Sequence, residues 1–318
     1  MALHAIILAA GKGTRMKSEL LKVAHLVAGK PIVEYVVDTV RGLGVDSIYI
    51  VVGHQAEVLK KSIAGDSIHF VMQADQLGTG HAVMQVGHTT TFTPTDHVLV
   101  LAGDCPLIDA PELQKLIATH IESNAYATIL TTKMEKPGTY GRILRGQMGS
   151  VVGIREAKDC DATQLAITEV NTGVYVFQAG PLFNSLTKIT TNNSQHEYYL
   201  TDVIHILKRD GHPVSAYQTA RSDTTIGVNT RADLAMINQL IYQQNNEHVM
   251  KEGVTIIDPS TTFIDSTASI GLDTIIHPFT VIYGHSQIGC NCIVGPHVYM
   301  MNATVESDSY IPPFTRLE

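Results

Sequence analysis

The first 230 residues alternate between short, continuous apolar runs and segments with helical spacing. The apolar runs at His4–Leu8, Ser47–Val52, Val98–Ala102 and Tyr126–Thr132 predict strands. Pro31–Leu43 instead places its apolar residues on one face of a predicted helix. Continuous apolar strands that alternate with helices are typical of a mostly parallel sheet with both faces covered. Ligands bind such sheets beyond the carboxyl ends of the strands, which makes the loops there the candidate functional segments.

A second pattern follows a predicted helix over residues 231–252. An aliphatic residue or methionine recurs at every sixth position, namely at Ile264, Ile270, Ile276, Ile282, Ile288, Val294 and Met300. A period of six is typical of a left-handed parallel β-helix, in which three hexapeptides form one coil. Because Glu306 breaks the pattern, we expect a little over two coils within residues 253–318.

Composition narrows the class of protein. The 318 residues carry 22 basic and 30 acidic side chains, a formal net charge of −8, which argues against general nucleic-acid binding. No apolar stretch approaches the roughly 20 residues of a membrane span, and the N-terminus does not resemble a signal peptide. Four scattered cysteines are too few for a disulfide framework. We therefore expect a cytoplasmic protein without a membrane partner.

The loop after the first predicted strand is rich in small residues. It contains Leu8, Ala9, Gly11 and Gly13, whose backbone can approach a ligand closely, followed by Arg15, whose planar charge suits phosphate oxygens. The loop satisfies neither the P-loop nor the dinucleotide-binding pattern. A tight turn and a phosphate-binding loop therefore both remain open.

Lys22 and Asp104 are candidate charged groups of the same region. Lys22 follows closely enough to place a second cation on the same phosphates, although a solvated lysine is the better interpretation of this residue taken alone. Asp104 ends an apolar strand, and its hard oxygens suit Mg²⁺ beside bound phosphates. The amide oxygen of Asn229 could complete such a site. The alternative is that Asp104 only orders the turn before Pro106.

The segment from residue 73 to 81 carries groups that can recognise a base. The amides of Gln73 and Gln76 can match the imide edge of a pyrimidine, and Gly78 allows backbone groups to reach it. Thr79 could contribute to this site, cap the helix that follows, or do both. Among the 15 histidines, none has the spacing of a hydrolase nucleophile, so a covalent mechanism lacks a candidate.

Seven sequence blocks, taken together and in order, resemble the motifs of bacterial N-acetylglucosamine-1-phosphate uridylyltransferases, the uridylyltransferase half of a bifunctional enzyme. The blocks are Leu8–Met16, Gln73–Ala82, Gly103–Leu107, Tyr140–Ile143, Glu169–Gly173, Glu197–Asp202 and Gly227–Asn229. The resemblance implies a Rossmann-like nucleotidyltransferase domain over residues 1–230 and covers the chain from residue 4 to about 300. The family's Pro before the lysine is Leu21 here, and Lys136 replaces a common Asp.

The resemblance also implies a role for each matching residue. Gly13 and Arg15 would hold the triphosphate, and Lys22 would contact the phosphates at the reacting centre. The uridine end would be received by Gln73, Gln76, Gly78 and Thr79. Asp104 and Asn229 would bind Mg²⁺. The N-acetylated sugar would be held by Gly141, Glu156, Asn171 and Thr201, which individually read as turn or surface residues.

The implied reaction transfers UMP from UTP to N-acetylglucosamine-1-phosphate, giving UDP-N-acetylglucosamine, a precursor of peptidoglycan and lipopolysaccharide. The open alternatives are a nucleotidyltransferase for glucose-1-phosphate or dTTP, and a non-catalytic scaffold that keeps the fold. The family's second activity, acetyl transfer, needs a longer β-helix, so we expect none here. The family assembles as a trimer through the β-helix, and the short repeat would weaken that homo-oligomer.

Overall fold

The computed structural model describes residues 1–53, 56–63 and 65–318. The chain divides into two compact units. The first unit comprises Met1–Ala24 and Ile32–Gly227, and the second comprises His25–Pro31 and Val228–Glu318.

Strands and helices alternate through the first 251 residues. The strands are β1 (Leu3–Ala9), β2 (Leu26–Val27), β3 (Lys30–Pro31), β4 (Ser47–Val52), β5 (Ile68–Met72), β6 (His97–Ala102), β7 (Ala127–Lys133), β8 (Arg142–Arg145), β9 (Val151–Arg155), β10 (Glu169–Gln178) and β11 (Val214–Thr219). The helices are α1 (Ile32–Arg41), α2 (Ala56–Ser62), α3 (Thr79–Thr89), α4 (Ala110–Glu122), α5 (Ala162–Leu165), α6 (Ala179–Leu186), α7 (Asp202–Arg209) and α8 (Arg231–Lys251).

A mostly parallel sheet organises the first unit. Its strand order among the described residues is β11-β7-β10-β6-β1-β4-β5. Strands β6, β1, β4 and β5 run parallel, as do β11 and β7, whereas β10 is antiparallel to both of its neighbours. Strands β8 and β9 form a ribbon beside β10. The α/β fold with a mostly parallel sheet is confirmed.

Successive residues of the central strands enter two separate hydrophobic cores. Ile6 and Val100 belong to one core, and their neighbours Ile7 and Leu101 belong to the other. This alternation follows from the pleat of a strand, which points successive side chains to opposite faces. Helices cover both faces of the sheet. The polar loops therefore gather at the carboxyl ends of β1, β5 and β6.

The second unit contains α8 and a series of very short parallel strands. These are β12 (Thr255–Ile256), β13 (Phe263–Ile264), β14 (Ser269–Ile270), β15 (Ile275–Ile276), β16 (Val281–Tyr283), β17 (Gln287–Ile288), β18 (Ile293–Val294), β19 (Tyr299–Met301), β20 (Thr304–Val305), β21 (Tyr310–Ile311) and β22 (Arg316–Leu317). They form three sheets, β12-β15-β18-β21, β13-β16-β19-β22 and β14-β17-β20. Three parallel faces built from every third strand are expected of the left-handed parallel β-helix.

The repeat extends further than the strict period predicts. Ile282 pairs with Met300 eighteen residues later, but Ile288 pairs with Val305 after only seventeen. A one-residue deletion therefore shifts the pattern, which continues at Ile311 and Leu317. The expectation that the repeat stops at Glu306 after a little over two coils is wrong, because a corner can lose a residue while the strands keep their pairing.

A second hexapeptide position stabilises the corners of the coils. Thr274, Thr280 and Ser286 are fully buried, six residues apart, and each hydroxyl donates to a backbone carbonyl. Buried polar groups need such partners, and small hydroxyl side chains provide them without filling the interior.

No helix in the described part of the chain is long and apolar enough to span a membrane.

We predict that Ile288→Ala lowers the free energy of unfolding by about 2–5 kcal/mol, because it leaves a cavity in the interior of the β-helix. The adjacent Gln287 points outward from the same strand, so Gln287→Ala is expected to change this free energy by less than about 0.5 kcal/mol. Urea unfolding of both variants measures the difference. Equal losses in the two variants would contradict the assignment of inward and outward positions.

Candidate active site

A cavity of about 470 Å³ lies in the first unit, at the loops that follow β1, β5 and β6. Most of the residues predicted to bind the nucleotide or the metal line it, namely Leu8, Ala9, Gly11, Gly13, Lys22, Gln73, Gln76, Gly78, Thr79 and Asp104. The cavity therefore joins the small-residue loop, the amide-bearing loop and the carboxylate at the same edge of the sheet.

The loop after β1 is shaped around Lys22. Gly13 has a φ of 60°, and a side chain there would place its Cβ 2.6 Å from the Cβ of Lys22. The glycine thus allows the aliphatic stem of the lysine to pass beside the loop. The Lys22 ammonium forms an ion pair with the carboxylate of Asp104, and both side chains are mostly buried. A cation and an anion therefore stand together on the cavity wall.

Asp104 has the donor chemistry of a divalent-metal ligand. Besides its ion pair with Lys22, its carboxylate accepts a weak hydrogen bond from the thiol of Cys105, whose pKa is raised by burial. Mg²⁺ characteristically takes one or two carboxylates and leaves its other positions to phosphates and water. A single carboxylate at the edge of a cavity fits that requirement. Within residues 1–53, 56–63 and 65–318, no group of three or more His, Cys, Asp or Glu could hold a metal by itself.

Asn229 belongs to the second unit, just before α8. Its backbone N–H donates to the carboxylate of Asp233 at 3.0 Å. Its partnership with Asp104 in a metal site stays a prediction. Arg15 is exposed on a single helical turn, Thr14–Met16, and is not among the residues that line the cavity. Its contact with phosphate stays a prediction as well.

The amide-bearing loop is held by close contact with a distant segment. Gly78 has a φ of 113°, and a Cβ there would lie 2.6 Å from the carbonyl oxygen of Tyr198. Thr79 does not cap α3, because it is the first residue of the helix and Gly78 occupies the cap position. The Thr79 hydroxyl instead accepts a hydrogen bond from the backbone N–H of Leu200 at 3.1 Å. The capping alternative is therefore wrong, and the hydroxyl ties the loop to residues 198–200.

The four residues predicted to hold the sugar are linked by short contacts. The backbone N–H of Asn171 donates to the carbonyl of Gly141 at 2.9 Å. The hydroxyl of Thr201 donates to the carboxylate of Glu156 at 3.0 Å. A Cβ on Gly141 would stand 3.5 Å from the other Glu156 oxygen. The structure therefore brings the four together, although none of them is among the residues that line the 470 Å³ cavity.

Burial gives Glu156 unusual electrostatics. Burial raises the pKa of its carboxyl, and the nearby carboxylates of Asp159, Asp202 and Glu197 raise it further, against the opposing hydrogen bond from Thr201. The ionised form of this carboxyl therefore costs free energy in the folded protein.

Two further residues of this region were not predicted from the sequence. Tyr175 is buried, its hydroxyl accepts a hydrogen bond from the side chain of Asn171 at 2.7 Å, and burial raises its pKa. No local motif marks Tyr175, because its role arises from its contact with Asn171. Glu197 lines the 470 Å³ cavity. The Glu197–Asp202 motif was a signal that could have singled it out.

Comparison with known proteins agrees with this geometry. Residues 5–225 match the MobA-like NTP transferase domain family. The bifunctional protein GlmU of Syntrophomonas wolfei is 44% identical over 308 residues, which cover 97% of this chain and 68% of that protein. GlmU of Shouchella clausii is 46% identical, covering 98% of this chain and 72% of that protein.

The fold has a more distant structural relative. A UDP-glucose pyrophosphorylase solved with UDP-glucose aligns with 77% of this chain and 100% of its own, with a TM-score of 0.64 and 17% identity. The fold, the domain family and the cavity together define a nucleotidyltransferase. Within that class, the chain belongs to the family of bifunctional GlmU proteins.

We predict that Glu156→Gln stabilises the protein at neutral pH. A carboxyl whose pKa is raised in the folded state loses stability as the pH rises above its ordinary value of 4.5. The variant avoids this loss, which is about 1.4 kcal/mol for each unit of pKa shift. Its advantage should be present at pH 7 and vanish below pH 4.5 in urea unfolding experiments.

The matched control for Glu156→Gln is Glu122→Gln, at an exposed position on α4. This change is expected to alter the unfolding free energy by less than about 0.5 kcal/mol at either pH. A Glu156→Gln variant that is less stable than the wild type at pH 7 would show that the ionised carboxylate is stabilising.

Proposed function

We propose that the chain transfers UMP from UTP to N-acetylglucosamine-1-phosphate, releasing pyrophosphate and giving UDP-N-acetylglucosamine. The observation that carries the proposal is the Lys22–Asp104 ion pair on a cavity wall shared with the amides of Gln73 and Gln76. Membership of the GlmU family supports it. The product would supply precursors of bacterial cell-wall polymers.

The reaction needs no covalent enzyme intermediate. A phosphate oxygen of the sugar phosphate attacks the α-phosphorus of UTP in line, and the bond to the pyrophosphate oxygen breaks. The nucleophile is already ionised, so no general base is required. The main obstacle is the repulsion between two polyanions, which makes positioning and charge neutralisation the principal catalytic effects.

The basic residues neutralise the charge that accumulates on the phosphates. Lys22 faces the cavity beside Gly13 and would contact the phosphates at the reacting centre, while Arg15 would hold the triphosphate. Members of this family generally use a divalent metal, and Mg²⁺ held by Asp104 and Asn229 would screen phosphate charge and orient the two reactants. The Lys22 ammonium pairs with the Asp104 carboxylate on the same cavity wall, which holds the lysine beside the proposed phosphate site.

The two ends of the site would recognise the base and the sugar. Gln73 and Gln76, with backbone groups near Gly78 and Thr79, would receive the uridine. Glu156 and Thr201, with Gly141 and Asn171, would hold the N-acetylated sugar through the hydrogen-bonded cluster described above. An acceptor carboxylate in a buried setting suits sugar hydroxyl and amide donors.

We predict metal-dependent pyrophosphate release from UTP and N-acetylglucosamine-1-phosphate, tested with and without Mg²⁺ against glucose-1-phosphate and dTTP. Release with another substrate pair would move the specificity and keep the nucleotidyltransferase mechanism. If the folded protein releases pyrophosphate from no substrate pair, the hypothesis of a non-catalytic scaffold would be favoured. Acetyl transfer from acetyl-CoA to glucosamine-1-phosphate is measured on the same preparation, and none is expected.

We predict that Asp104→Ala lowers kcat at saturating Mg²⁺ by about 10²–10³-fold, because a metal ligand and the counter-ion of Lys22 are lost together. Asp66→Ala, at an exposed turn, is the control and should keep wild-type activity. Circular dichroism verifies that both variants are folded. An Asp104→Ala enzyme with more than a tenth of the wild-type rate would refute the metal assignment.

A further inference from the structure

His81 lies on α3 between two side-chain amides. The Gln73 amide nitrogen is 3.0 Å from Nδ1 of the imidazole, and the Gln85 amide group is 3.0 Å from Nε2. A neutral imidazole has one donor nitrogen and one acceptor nitrogen. Two amide NH₂ groups therefore cannot both donate to the same ring, and one of the two amides must present its oxygen.

The burial of the two glutamines and the distances to their neighbours determine which amide presents its oxygen to His81. Gln73 is only 3% exposed, and its nitrogen also donates to the carbonyl of Gly78 at 3.1 Å. Reversing this amide would press its oxygen against that carbonyl and lose the hydrogen bond. Gln85 is half-buried, and the other contact of its nitrogen, to the His81 carbonyl, is long at 3.4 Å. Gln85 therefore presents its oxygen to Nε2–H, and Nδ1 accepts from Gln73.

This assignment determines which polar atom of the Gln73 side chain can contact a ligand. Its two N–H groups are used, one by Gly78 and one by His81, so its Oε1 is the polar atom that remains for a ligand in the cavity. An oxygen can only accept a hydrogen bond. Uracil and thymine carry a donor at N3, whereas cytosine carries an acceptor there.

We propose that His81 is a positioning residue that fixes the amide of Gln73 as a hydrogen-bond acceptor and so makes the site select bases with an N3–H group. The proposal rests on the proposed function for the placement of the base at Gln73. The ring of Tyr198 stacks on the imidazole with centroids 6.2 Å apart and planes 29° from parallel. This contact keeps the His81 ring facing Gln73.

The tautomer of His81 tests the first half of the proposal without any nucleotide. Nitrogen-15 spectra of the full chain, with the His81 signals assigned by their loss in His81→Asn, report which ring nitrogen carries the proton. The proposal requires the proton on Nε2. A proton on Nδ1 would overturn it, because Gln73 would then have to present its oxygen to the ring.

Nucleotide selectivity tests the second half, through kcat and KM for UTP, dTTP and CTP. His81→Phe keeps a ring against Tyr198 but removes the acceptor, so the preference for UTP over CTP should fall at least tenfold. The change should lie mainly in KM, and the ratio of UTP to dTTP should stay constant because both bases carry N3–H. His81→Asn, whose amide oxygen can replace Nδ1, should restore most of the preference.

Gln85→Met is the matched control, because it removes only the partner of Nε2 and should leave the preference for UTP over CTP unchanged. An unaltered preference in His81→Phe would overturn the proposal. So would an equal loss with all three nucleotides, which would indicate a purely structural role. A wild-type protein that releases pyrophosphate from no substrate pair would refute the proposed function instead, and the tautomer alone would then decide the contact between His81 and Gln73.

Discussion

The active site depends on the contact between two backbone segments that are far apart in sequence. The N–H of Tyr198 donates to the carbonyl of Leu77, and the N–H of Gly80 donates to the carbonyl of Tyr198, each at 2.8 Å. This approach requires a residue without a side chain at position 78. Without it, the loop after β5 would have no fixed position over the sheet, and the amides it carries could not be aimed at a ligand.

The same contact joins the two halves of the site. Glu197 lines the 470 Å³ cavity, the ring of Tyr198 stacks on His81, and Thr201 donates to Glu156 in the cluster predicted to hold the sugar. The segment from residue 197 to 201 thus contacts both the cavity and the cluster. Because these contacts come from one short segment, the spacing between the cavity and the cluster is fixed by the backbone.

Much of this architecture could be predicted from local sequence. Apolar runs predicted the central strands, and the rule that ligands bind at strand ends pointed to Gln73 and Asp104, which line the same cavity. The hydrogen bond between Thr79 and Leu200 and that between Asn171 and Tyr175 could not be predicted, because each depends on a partner brought close only by the fold. The extent of the β-helix was missed for a different reason. A strict period cannot follow a corner that is one residue shorter.

The seventeen-residue coil shows that strand pairing, rather than a strict sequence period, keeps the β-helix regular. Strand pairing is kept across the deletion, and buried hydroxyls close the corners locally. Each coil therefore depends mainly on the coils directly above and below it, as in other solenoids. Such a structure behaves as a one-dimensional chain of coupled units, in which disorder spreads from the ends inward and a fault in one coil weakens its neighbours before it reaches the rest.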